Sequence, residues 1–121
     1  MVNTVDTISI WKSRLQNLTD LLLPTDYPRP LPPRTVEEVL CFDLPEQTLL
    51  SLVQASMYDV RPTPFSVILA AFSVLLQRYT GDEEFAIGTS SPTGNPLLLR
   101  LHVDPSNTFR GIIDMVTKVI L

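Results

Sequence analysis

The stretch from Pro64 to Thr80 constrains the fold more than any other part of the chain. Thr63 is a good N-cap, Pro64 a good first helical residue, and Gly81 the expected C-terminal stop. Between those signals the only polar residues before the last turn are Ser66, Ser73 and Gln77, spaced seven and four apart. They make one thin stripe on a helix that is otherwise apolar all round, the pattern of a central, buried helix. Phe65, Ile68, Leu69, Phe72, Leu75 and Leu76 are therefore expected to dominate the core, each contributing roughly 1.5–3 kcal/mol if fully buried.

The rest of the chain arranges itself around this helix. Ile8, Trp11, Leu15 and Leu18 fall on one helical face, with Asp6 as candidate cap and an end near Asp20. Trp11 reads as the packing anchor of that helix. From Leu21 to Arg34 the chain carries five of its eleven prolines, Pro24, Pro28, Pro30, Pro32 and Pro33. Proline removes backbone donors and fixes φ, so this is an extended arm lying on a surface, with Leu22, Leu23 and Tyr27 as candidate pins.

Alternation of Leu40, Phe42 and Leu44 predicts a strand over Thr35–Leu44. Pro45 then opens a helix ending by Val60, with Leu49, Leu52, Val53, Ser56 and Met57 as its buried face. Phe85–Gly88 reads as a short strand, Thr89–Pro96 as a loop, and Leu97–Val103 as a further strand. Asp104 and Ser106 are candidate caps for a last helix bearing Phe109, Ile112, Ile113, Val116 and Ile120 on one side. The chain stops at Leu121 without a helix stop signal, so a cut from a longer protein is expected.

Three segments follow: a helix over 1–20, the proline arm over 21–34, and a globular unit over 35–121. The expected class is α/β (α+β), a small mixed sheet of about three strands with helices packed on it. Such a sheet is thin, and the face its own helices leave uncovered needs a partner.

Composition narrows the function. Hydrophobic residues make up 45% and charged residues 18%, a folding rather than a disordered balance. The formal charge is −4, and the nine Lys and Arg residues are scattered, so nucleic acid is not an expected partner. The longest apolar run, Phe65–Leu76, is too short for a bilayer span of about 20 residues. No cationic, apolar leader opens the chain, and the single Cys41 fits a reducing compartment; a cytoplasmic location is the expectation.

Candidate chemistry is sparse. His102 is the only histidine, and its position reads as the polar face of a strand. A second histidine or a cysteine pair for a metal is absent from the sequence. Gly88–Pro96 looks superficially like a phosphate-binding loop but lacks the Gly-Lys-Ser/Thr that places a cation and a metal ligand. A strand rather than a helix N-terminus follows it, so a surface loop between strands is the better reading. Asp82-Glu83-Glu84 reads as a solvated turn, and Cys41 as a buried structural thiol. No imidazole is seen beside a carboxylate in a pattern able to move a proton. An acyl-binding protein would need a fixed polar headgroup site, and nothing in the sequence supplies one.

Three segments taken in order carry a resemblance: WKSRLQNL from Trp11 to Leu18, LPTDYPRP from Leu23 to Pro30, and TPFSVILAAFSVLLQRYTGDEEFAIG from Thr63 to Gly88. Together they resemble the condensation domains of nonribosomal peptide synthetases. They look most like the shortened version that opens fungal aminoadipate reductases. The similarity runs from about Trp11 to Val116.

It implies half of a chloramphenicol-acetyltransferase-like fold, the second lobe of a condensation domain. The family's His-His-x-x-x-Asp-Gly motif belongs to the missing first lobe. Around His102 it is not reproduced, since Ser106 and Asn107 stand where the motif wants Asp and Gly. The loop after Gly88 is too short for the family's latch and bridge.

No catalytic, cofactor-binding or metal-ligating residue therefore carries over. The implied parent activates 2-aminoadipate with ATP and magnesium, carries it on phosphopantetheine, and reduces the thioester with NADPH in lysine biosynthesis, all in domains beyond this segment. The implied role here is non-catalytic, with the adjacent adenylation domain, or a second copy, as partner. The alternative is a fragment of an active peptide synthetase condensation domain.

Overall fold

In a computed structural model of the chain, residues 4–55 and 61–120 are described. They form helices α1 (Thr4–Arg14), α2 (Glu46–Ala55), α3 (Pro64–Thr80) and α4 (Phe109–Ile120), with strands β1 (Glu84–Ser90) and β2 (Pro96–His102) between α3 and α4. The strands form an antiparallel hairpin in which Phe85 faces Leu101 and Ile87 faces Leu99. α4 packs against both α3 and β2, and α2 packs on α3. The core is Val67, Leu69, Ala70 and Leu76 of α3, Phe85, Leu99, Leu101 and Val103 of the hairpin, and Ile112, Ile113 and Val116 of α4.

The ends of α3 are as its sequence predicts. Thr63 Oγ1 accepts from the Ser66 N–H at 3.2 Å, and Ser66 Oγ accepts from the Thr63 N–H at 2.9 Å, a reciprocal capping box. Gly81 stops the helix with φ +78° and donates its N–H to the Gln77 carbonyl.

Leu69 and Leu76 lie in the core as expected, but the rest of α3 is turned the other way. Ser66, Ser73 and Gln77 lie inside, while Phe65, Ile68, Phe72 and Leu75 lie out. Ser73 Oγ satisfies itself on the Leu69 carbonyl at 2.7 Å, and in α4 the buried Thr117 hydroxyl does the same on the Ile113 carbonyl at 2.7 Å. With its hydroxyl paired inside its own helix, a small serine is cheap to bury. Small residues such as Ala70 and Ser73 suit a helix packed closely on a neighbour, whereas Phe72 needs more room.

The expected strand over Thr35–Leu44 does not form, and the described residues hold two strands rather than about three. Alternation says which side chains would share a face; it does not supply a neighbouring edge, and β1 and β2 pair with each other. The segment stays extended and exposed, and Cys41 is exposed with it rather than buried. Leu22, Leu23 and Tyr27 do not pin the proline arm; they are exposed, and Leu21 alone of this stretch packs partly on the core.

α1 ends at Arg14 rather than near Asp20 and starts ahead of Asp6, which sits in its first turn instead of capping it. Asn17 adopts φ 63°, the left-handed conformation that ends helices. α2 begins at Glu46, and the Pro45 carbonyl accepts from the Thr48 and Leu49 N–H groups, so Pro45 precedes the helix. Leu49 and Val53 are half-buried and Leu52 is exposed; Ser56 and Met57, with the expected end of this helix by Val60, fall outside the described residues. α4 is capped by neither Asp104 nor Ser106: Asp104 Oδ1 accepts from the Ser106 N–H in a turn, and Thr108 Oγ1 accepts from the Gly111 N–H.

Candidate interaction surface

Among the described residues, two apolar surfaces adjoin a common groove and stay open to water. One is a stripe on α3, where Phe65, Ile68, Phe72, Leu75 and Tyr79 are 50%, 45%, 47%, 50% and 64% exposed. The second is the extended segment leading into α2, where Val36, Val39, Leu40, Phe42 and Leu44 are all exposed, Leu40 by 87%. Between them, Leu44, Leu49, Leu52, Ile68, Ala71 and Phe109 line an apolar groove of about 190 Å3. Scattered apolar residues on a surface need no explanation, but continuous apolar areas mark contact sites.

The opposite side of the hairpin is held by charge. Arg100 lies at the centre of β2 on the face turned from the core. Its Nε donates to Glu84 Oε1 at 2.7 Å, and its Nη1 donates to the carbonyl oxygens of Arg14 and Gln16 at 2.7 and 2.8 Å. The guanidinium thereby satisfies the last carbonyl of α1 and one just beyond it, and complements the negative end of the helix dipole. Trp11 is half-buried, and its ring lies in a groove with Gly88, Pro96 and Leu98. The Arg14 guanidinium stands 5.9 Å from the Trp11 ring centre.

His102 is exposed at the end of β2, as a polar-face residue. The pairing of β1 with β2 sets this imidazole near a carboxylate distant in sequence. His102 is the cross-strand partner of Glu84, and its charge acts on both Glu84 and Asp104. Both carboxylates are engaged elsewhere. The Arg100 hydrogen bond first, then its charge, holds the Glu84 carboxyl below its usual range, and the hydrogen bonds from Ser106 do the same for Asp104.

The Gly88–Pro96 segment is the end of the hairpin. Its donors turn inward: the Ser91 N–H reaches the Asn95 carbonyl and the Gly94 N–H the Ser91 carbonyl, both at 2.8 Å, while the Asn95 N–H bonds Ser91 Oγ at 3.1 Å. These bonds tie the loop to itself as the turn between β1 and β2. Asp82-Glu83-Glu84 leads into β1, and Glu84 is committed to Arg100. Among the described residues, no three His, Cys, Asp or Glu side chains gather to hold a metal ion. No helix among them is long and apolar enough to cross a membrane.

Sequence reasoning missed two features. The spacing of the α3 stripe is visible in the sequence, but nothing local says that it faces outward. The Arg100 clamp joins distant parts of the chain and leaves no local signal.

No model of a known protein family matches the chain. Comparison with curated proteins is more informative. The chain is 41% identical over 113 residues to an L-2-aminoadipate reductase of Schizosaccharomyces pombe, covering 90% of the chain and 8% of the reductase. It is 32% identical over 117 residues to the L-2-aminoadipate reductase large subunit of Penicillium chrysogenum, covering 93% of the chain and 8% of that protein. Tyrocidine synthase 3 of Brevibacillus parabrevis is 36% identical over 87 residues, 72% of the chain and 1% of the synthase. The chain therefore spans less than a tenth of the length of these curated relatives.

Similarity shared between such reductases and peptide synthetases defines the class, a condensation-like segment of the kind found in multidomain synthetases. Within that class, the chain matches the condensation-like segment carried by L-2-aminoadipate reductases.

Proposed function

We propose that the chain is a non-catalytic, condensation-like docking module of an aminoadipate reductase. It is half of a chloramphenicol-acetyltransferase-like fold that precedes the adenylation domain and packs against it. The parent would reduce 2-aminoadipate to its semialdehyde in the cytoplasm, using ATP with magnesium, phosphopantetheine and NADPH held by other domains. The observation that carries the docking role is the extended segment Val36–Leu44, whose large apolar side chains face water with no strand alongside. Removing such side chains from water is the main driving force for association.

His102 supports a non-catalytic role, since it lies on an open strand end with its neighbouring carboxylates already engaged. A general base in acyl transfer needs an unengaged imidazole, an orienting partner and a sheltered site.

Isothermal titration of the 121-residue chain with the adenylation domain of an aminoadipate reductase tests the reading. Saturable binding that Leu40→Asp and Phe42→Asp abolish is expected. Absence of binding, or turnover of a carrier-bound acyl group that His102→Ala removes, would overturn it.

The relation to tyrocidine synthase 3 favours one other reading, a fragment of an active peptide synthetase condensation domain. An upstream lobe carrying an adjacent histidine pair, followed by three residues and Asp-Gly, would select that reading.

A further inference from the structure

Along α3, Phe65, Ile68, Phe72, Leu75 and Tyr79 follow one another at steps of three, four, three and four. That is the a/d repeat of a two-helix seam. α3 thus has two apolar faces: Val67, Ala70 and Leu76 are spent on the core, and the seam is left open. We propose that the seam pairs antiparallel with the same seam of a second copy, making a two-fold dimer centred on Phe72.

The seam is complementary to itself. Outward from Phe72, each direction meets an aliphatic residue, Ile68 or Leu75, and then an aromatic one, Phe65 or Tyr79. On a two-fold axis at Phe72, Ile68 comes opposite the partner's Leu75 and Phe65 opposite the partner's Tyr79. A two-fold contact requires such matching of a surface with itself. A partner of unrelated sequence has no need of a seam balanced about its own midpoint.

Charge selects the direction. Exposed Arg61 stands just ahead of α3, and Asp82 and Glu83 just behind it. Antiparallel copies bring Arg61 to the partner's Asp82 and Glu83 at both ends, whereas parallel copies would oppose like charges. The seam itself carries no charged side chain, so closing it buries none.

The area is sufficient and modest. Aromatic side chains carry about 150–250 Å2 each, so the five half-exposed residues present about 450–500 Å2 per copy. Leu52 and Leu97, each partly exposed beside the seam, extend it. The total, about 1,000–1,200 Å2, lies at the lower edge of specific interfaces and gives a reversible dimer.

Sedimentation equilibrium of the 121-residue chain from about 1 to about 200 µM tests the proposal. The mass should rise with concentration from 13.6 kDa toward twice that value. Phe72→Lys should stay monomeric with an unchanged circular dichroism spectrum; should it fail to fold, Tyr79→Lys, more exposed still, makes the same test. Arg61→Glu should weaken the dimer about tenfold, and adding Asp82→Lys and Glu83→Lys should restore it.

A monomer at every concentration, or a dimer indifferent to both lysine variants, would overturn the proposal. So would loss of adenylation-domain binding in Phe72→Lys, which would give the seam to that domain and leave the docking function standing. Failure of the Leu40 and Phe42 test would instead remove the docking function and leave the dimer untouched.

Discussion

Arg100 and Arg14 stand 86 positions apart in sequence and are joined by a 2.7 Å hydrogen bond from the Arg100 Nη1 to the Arg14 carbonyl oxygen. A second bond from the same nitrogen, to the Gln16 carbonyl, and a third from Nε to Glu84 make Arg100 the tie between the hairpin and the end of α1. Few other contacts hold α1, since Ile8 and Ile10 on its surface are exposed. A planar guanidinium serves several acceptors at once, which lysine's single ammonium centre does less well.

Replacing Arg100 with Met should release α1 while leaving the core in place. A loss of about 1 kcal/mol is expected, because bonds to a charged donor are strong but this one is partly exposed. Hydrogen exchange should show it first: the amides of α1 speed up, and those of α3 and α4 do not. Equal acceleration throughout would mean that Arg100 supports the core instead.

Glu84 gives the chain an acid limb. Its carboxyl titrates below the usual range, first because of the Arg100 hydrogen bond. A group whose pKa is lowered by folding stabilises the fold above its unfolded pKa and loses that effect as pH falls through the folded value. Glu84→Gln should therefore be less stable than the natural chain at neutral pH, with the gap closing in acid. Thermal melts of both proteins across this range check the sign.

The reversed orientation of α3 predicts an unusual pair of substitutions. Phe72→Ser, at a half-exposed site, should change monomer stability by less than about 1 kcal/mol. Ser73→Leu, at a position with no exposure, should cost about 1–3 kcal/mol through overpacking. Urea unfolding of dilute protein measures both, and the opposite ranking would mean that Phe72 faces the core.

The ends of α3 are testable separately. Thr63→Ala removes half of the capping box and should cost about 1 kcal/mol. Gly81→Ala should cost about 1–2 kcal/mol from backbone conformation alone, since φ is +78° and a methyl there meets no atom within 4 Å. Melting temperatures of the two variants should fall together, and that of the double variant by nearly the sum.

What could be read in the sequence was what is decided locally. Thr63, Pro64 and Gly81 mark α3 because caps act within one turn, and the alternation in Leu97–Val103 yields β2 because a hairpin brings its own partner. The face that α3 buries could not be read, since a helix apolar all round offers two equal choices and the choice is made by what packs on it. Thr35–Leu44 shows the same limit: its alternation is local, but pairing depends on contacts far off in sequence, and here it pairs with neither β1 nor β2. Asn17 was a readable stop for α1, being a residue that tolerates the left-handed conformation. Arg100 was not readable, because its partners lie far off in sequence. The sequence points to an uncovered sheet face, whereas the open apolar residues lie on α3 and in the segment before α2.

The most direct test of the docking role is the reactivity of Cys41, the exposed thiol midway along the uncovered segment. In the isolated chain it should react with iodoacetamide at the rate of a free thiol. In an intact aminoadipate reductase carrying this segment, the account predicts that Cys41 reacts at least about tenfold more slowly, because Val36–Leu44 is covered. An unchanged rate in the intact protein would show that the segment stays open to water, contrary to the account.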